Sequence, residues 1–189
     1  MRSAVFDRDH VLTRAMEAFR DKGYAKTTMQ ELVAATGLHP GSLYAAFGNK
    51  RGLLLAAVDH YVARKSESRA ALMADLPPLA GIRAYLLHLV EEMTRCTCLV
   101  TRAAMELDQD EELHQRLALI HRSLEDDFRQ ALRAAVEQGA IPADANVETL
   151  TAYLLVGVQG LVAFSQCRRD PALSLAVVEQ LLVGLTATR

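Results

Sequence analysis

Apolar positions recur every three or four residues along nearly the whole chain, the spacing that lines one face of a helix. Val11, Leu12, Ala15, Met16 and Phe19 predict a first helix over residues 9–22, with Asp9 as its N-cap and Gly23 at its end. The stretch from Thr27 to Arg51, TTMQELVAATGLHPGSLYAAFGNKR, then reads as two short helices joined by a tight turn, followed by the start of a third. Thr28 and Glu31 fit a capping box, in which a hydroxyl and a carboxylate three residues apart satisfy each other's backbone N–H. Gly37 stops that helix, as glycine does where the chain turns left-handed. Pro40 opens the next, because the first turn needs no donor there. Leu43 and Phe47, four apart, mark its buried side. Gly48 ends it, and Asn49 is placed to cap the helix from Lys50.

The helices that follow are longer. One from Lys50 to about Met73 has Leu53, Leu54, Ala57, Val58, Tyr61 and Val62 inside, and Arg64, Lys65, Glu67 and Arg69 outside; it is expected to link head and body rigidly. Pro77 and Pro78 break it. Further helices are predicted from Leu79 to Arg95, from Cys98 to about Leu107, and from the acidic run Asp108–Glu112 to about Gln138. The last two, Val147 to about Cys167 and Asp170 to the C-terminal region, are apolar nearly all round, so most of their sides must be covered. In a chain of this size the spare faces point to a second copy and an intermolecular four-helix bundle. Leu154, Gly157, Val158 and Leu161, with Val178, Leu181, Leu182 and Leu185, are the expected interface. Gly157 and Gly160 would let another backbone approach closely. The sum is an all-α chain of about nine helices: a three-helix helix-turn-helix head over residues 1–48 and a helical body over 49–189.

Composition narrows the class. A 189-residue chain that is 51% apolar has ample material for a core. No run of 18 or more apolar residues lacks a polar interruption, so no membrane span is expected. The N-terminal MRSAVFDRDH carries acids and no apolar h-region, unlike a signal peptide. Three cysteines argue against a disulfide framework, and a reducing cytoplasm is the expected location. The net charge of −2 hides an asymmetry. Residues 1–52 hold 8 Lys and Arg against 5 Asp and Glu; the remainder holds 13 against 18. A slightly basic head on an acidic body suits contact with a polyanion at one end.

The outer face of the second short helix gives that idea its content. It offers Pro40, Gly41, Ser42 and Ala45, with Tyr44 at the edge. Small residues let a helix lie deep in a major groove. Ser42 suits a base edge or a phosphate, Pro40 or Ala45 a thymine methyl, and the Tyr44 hydroxyl a phosphate oxygen. Lys50 and the free N–H groups at its helix start form an anion site, and Thr28 marks a second. The plainer alternatives are a bundle-edge tyrosine and a solvated lysine.

Taken together, the run from Thr27 to Lys50 resembles the N-terminal DNA-binding domain of the TetR family of bacterial repressors. Gly37-Leu38, Gly41-Ser42-Leu43-Tyr44, Phe47 and Lys50 carry the likeness. The resemblance implies a homodimer, a DNA-binding head and a body that both dimerises and binds a small effector. Positions matching Ser42, Tyr44 and Lys50 commonly touch DNA in that family, Thr28 lies against the backbone, and Gln30 sits where contact is sometimes made. Two positions depart from the pattern. His39 stands where a Ser or Thr usually caps the recognition helix; it is a poorer cap, although its ring could itself reach DNA. Ala46 stands where a polar residue often contacts phosphate. Dimerisation would set paired recognition helices roughly 34–36 Å apart, one turn of DNA.

Body chemistry is sparser. Cys96 and Cys98 form a C-x-C pair without further zinc ligands nearby, so no metal is expected. Cys98 at a helix start, with Arg95 and Arg102 near in sequence, is a candidate thiol sensor; small buried hydrophobes are the alternative. Polar or aromatic residues within the apolar body, His88, Arg102, His121, Phe128, Tyr153 and Gln159, are candidate effector contacts beside Cys98. No catalytic motif or cofactor fingerprint is present. The expected function is a ligand-responsive transcriptional regulator, released from operator DNA by a small molecule or thiol modification. The competing readings are a helical sensor whose head binds another protein and, ranked below it, a small helical enzyme.

Overall fold

The computed structural model describes residues 6–95 and 98–186. Among them are nine α-helices and no strand: α1 (Arg8–Lys22), α2 (Met29–Thr36), α3 (Pro40–Phe47), α4 (Lys50–Ala74), α5 (Pro78–Arg95), α6 (Leu99–Glu106), α7 (Glu111–Glu137), α8 (Val147–Cys167) and α9 (Pro171–Thr186). Packing sorts these into two compact units, and they do not follow a simple break after residue 48. The first holds α1–α3, α4 as far as Lys65, α6, and α7 as far as Ala118; the second holds the rest of α4 and α7 with α5, α8 and α9.

In the first unit Val11, Leu12, Ala15, Met16 and Phe19 of α1 are buried with Leu32, Leu43, Leu53, Leu54, Val58, Leu99 and Leu113. Phe47 is only half-buried. The N-cap of α1 is Asp7 rather than Asp9: its carboxylate accepts from the His10 N–H at 3.1 Å. Asn49 caps α4 as expected, accepting from the Gly52 N–H at 2.8 Å.

In the second unit α5 packs on both α8 and α9. The core is built from Ile82, Leu86 and Val90 of α5, Leu124, Phe128 and Leu132 of α7, Leu154, Val158 and Leu161 of α8, and Val178, Leu181 and Leu185 of α9. Phe128 meets the Tyr85 ring edge-on, with centroids 5.8 Å apart. Arg69, read as solvent-facing, is 6% exposed. Its guanidinium bonds Asp127 at 2.6 Å and Ser123 at 3.2 Å, which lets a charge lie this deep. By length and composition alone α8 could cross a bilayer. One of its faces lies in this core.

Candidate nucleic-acid interface

Side chains cap the starts of α2 and α3, and glycines end both helices. At α2 the Thr28 hydroxyl accepts from the Glu31 N–H at 3.2 Å, and Glu31 accepts from the Thr28 N–H at 2.8 Å. The Lys22 ammonium lies 2.6 Å from Glu31. Lys22 first, then the Thr28 N–H, hold the Glu31 carboxyl down at about 2. Thr27 is fully buried and donates to the Gly23 carbonyl at 2.6 Å. Gly37 takes the left-handed conformation that ends α2.

The sequence suggested a poor cap for α3, yet His39 supplies one. Its Nδ1 accepts from the Gly41 N–H at 3.3 Å. Leu43 anchors the helix at 1% exposure. Phe47 packs against Phe6, and the Arg8 guanidinium sits 5.0 Å from the Phe47 ring centroid. The opposite side is open: His39, Pro40, Gly41, Tyr44 and Ala45 are exposed and Ser42 is half-buried. Thr28 and Gln30, at the start of α2, are exposed too. The Lys50 ammonium stands 4.4 Å from the Tyr24 ring centroid and 3.5 Å from the Ala25 carbonyl, so it is held at the loop leading into α2.

That same loop is gripped from α6, which sequence reasoning missed. Arg102 donates to the carbonyls of Arg20 (2.8 Å) and Asp21 (3.1 Å) at the end of α1, where unpaired carbonyls favour a cation. Glu106, bonded to Arg102 at 3.2 Å, accepts from the Ala25 N–H at 2.7 Å. Arg102, expected among the effector contacts, therefore clamps the head. Arg51 ties the start of α4 to Asp110 at 2.5 and 2.7 Å and holds that carboxyl at about 2.

A short trihelical head with an open, small-residue helix face is now matched by kinship. Residues 11–57 match the family "Bacterial regulatory proteins, tetR family", and residues 78–181 match "Tetracyclin repressor-like, C-terminal domain". The chain belongs to the TetR family. As a TetR-family protein it is a DNA-binding transcriptional regulator. Among its relatives, the uncharacterised HTH-type regulator YezE of Bacillus subtilis is 31% identical over 163 residues, covering 81% of this chain and 82% of YezE. The repressor ComR of Escherichia coli is 30% identical over 167 residues, covering 85% and 80%. Among solved structures, a cysteine mutant of the TetR-family regulator CifR, in complex with a 26-bp operator duplex, has a TM-score of 0.82 and 31% identity; the match covers 96% of this chain and 98% of that one. These relatives are regulators rather than enzymes.

The other expected sites fare differently. Cys98 and Arg102 belong to the first unit, the five remaining effector candidates to the second. Cys98 is half-buried, with the Tyr61 hydroxyl 3.8 Å from its sulfur. Cys96 lies outside the described residues. Phe128 is core, His88 pairs with Glu92 at 3.6 Å, and exposed His121 and Gln159 bond each other at 3.0 Å. Tyr153 is exposed. A groove beside Val90, Met93, Ser165 and Ser174 encloses about 10 Å³, room for one water.

Of the expected dimer residues, Leu154, Val158, Leu161, Val178, Leu181 and Leu185 are buried within the protomer. Leu182 is half-buried. Gly157 faces inward as well: a Cβ there would sit 2.6 Å from the Leu181 side chain, so the close approach is to α9 of the same chain. Exposed apolar side chains on these helices are Tyr153, Val156 and Phe164 of α8, and Leu173, Leu175, Val177 and Val183 of α9.

Proposed function

We propose that the protein is a homodimeric, cytoplasmic repressor that presents α3 to the major groove of an operator and lets go when a small molecule binds the body or Cys98 is modified. The observation that carries the DNA reading is the outward face of α3. Pro40, Gly41 and Ala45 leave the backbone free to approach base edges, and Tyr44, 47% exposed, carries its hydroxyl at the rim where a phosphate would lie. Operator binding by CifR, at 31% identity, supports the reading. Only 22% of the apolar stretch of α8 is buried within the protomer, which supports pairing through α8 and α9 about a two-fold axis. Release is a population shift: the effector must bind the non-binding form more tightly than the operator-bound one.

Duplex binding by the purified protein at stepped salt concentrations tests the core of this. The logarithm of affinity is expected to fall linearly with the logarithm of salt, as phosphate neutralisation requires. Absence of salt-dependent duplex binding removes the DNA reading and leaves a helical sensor.

A further inference from the structure

His39 does two jobs with the two nitrogens of one ring. Its Nδ1 accepts from the Gly41 N–H at 3.3 Å, so Nδ1 is unprotonated in the capped helix. A neutral imidazole then carries its proton on Nε2. The cap fixes more than the tautomer. With Nδ1 turned onto the start of α3, the opposite edge of the ring is directed away from the helix. His39 is exposed, and among the described residues it makes no second hydrogen bond. The cap therefore holds a single N–H donor, in a set orientation, at the N-terminal end of the recognition helix. That end is the part of such a helix that meets base edges. Next to it stand Pro40 and Gly41, too small to keep the ring from the groove floor. A serine in place of His39 would still cap the helix but would end short of a base.

We propose that His39 is a specificity-determining residue whose Nε2–H donates to N7 of a guanine in the major groove, with O6 as a second acceptor beside it. The choice of base follows from the donor. Guanine presents two adjacent acceptors, N7 and O6, and no donor between them. Adenine sets an N6 amino donor beside its N7, and cytosine offers only a donor, which an N–H repels. Thymine O4 is an acceptor, but its neighbouring methyl crowds a flat ring. The proposal rests on the DNA-binding reading above and adds the base that one residue selects.

The test is selection of duplexes from a random-sequence library by the full-length protein and by His39→Ser, which keeps a capping oxygen. The wild type is expected to enrich one guanine per half-site, with about tenfold discrimination at that position. His39→Ser should keep the rest of the selected sequence and lose that preference. Replacing the enriched guanine by 7-deazaguanine should weaken the wild type by about the same factor and leave His39→Ser unchanged. This second arm needs no variant to fold. Equal weakening of all duplexes by His39→Ser would mean a phosphate contact and overturn the proposal. So would an unchanged guanine preference in the variant, or indifference of the wild type to 7-deazaguanine. Failure of the wild type to bind any duplex in a salt-dependent way would instead remove the underlying DNA reading, and is told apart on that ground.

Discussion

Gly23 is a position where one added methyl group should cost the head heavily, through its backbone and through a neighbouring side chain. Its backbone sits at φ 85°, ψ 164°, a region that is essentially glycine's alone. An L-residue there is strained by about 1–3 kcal/mol. A Cβ would also lie 2.1 Å from Oε1 of Glu106 and 2.9 Å from Nε of Arg102. Glu106 would have to swing aside and give up its 2.7 Å bond to the Ala25 N–H. A hydrogen bond to a charged group contributes about 1.5–3 kcal/mol. Gly23→Ala is therefore expected to destabilise the first unit by about 2.5–6 kcal/mol, the sum of both effects. Urea unfolding followed by circular dichroism measures it, and Glu106→Ala completes a double-mutant cycle. In the Glu106→Ala background the glycine substitution should cost only the strain, about 1–3 kcal/mol. A cost below about 0.5 kcal/mol, the range of an ordinary surface change, would refute the backbone argument. An equal cost in both backgrounds would refute the clash with Glu106.

Three further outcomes are expected. The Glu31 carboxyl, ordinarily near 4.5, is held at about 2, so its contribution to α2 is present above about 4.5 and is lost as pH falls toward 2; Lys22→Ala should raise its pKa in an NMR titration, and no rise would discount the Lys22 contact. Lys50→Ala should weaken binding to all duplexes alike and lower the salt slope by about 1, read by fluorescence anisotropy; a sequence-dependent loss would contradict a phosphate role. Val156→Asp, at a position 71% exposed, should convert dimer to folded monomer in sedimentation velocity, and a persistent dimer would place the interface elsewhere.

Much of the helix-turn-helix was legible because its joints are chemical and local. Thr28 and Glu31, Gly37, Pro40, Leu43 and Asn49 act on atoms within a few residues of themselves, so spacing alone reports them. His39 misled for a related reason: cap preferences rank side chains by frequency, whereas this ring reaches Gly41 with Nδ1. Arg69 misled because α4 changes surroundings along its length, and a charge on an outer stripe there meets Asp127.

The periodicity of the chain was enough to determine an all-helical protein, the order and near ends of its helices, and the small outward face of α3. Only the tertiary structure decided which side of α8 and α9 is spent on the protomer's own core. A helix apolar all round has no phase for periodicity to report, so Leu161 and Val156 look alike until the core shared with α5, α7 and α9 takes one and leaves the other exposed. It also decided that Arg102 clamps the head: the carbonyls of Arg20 and Asp21 lie 82 and 81 residues away, and a carbonyl belongs to every residue and so leaves no mark in a sequence.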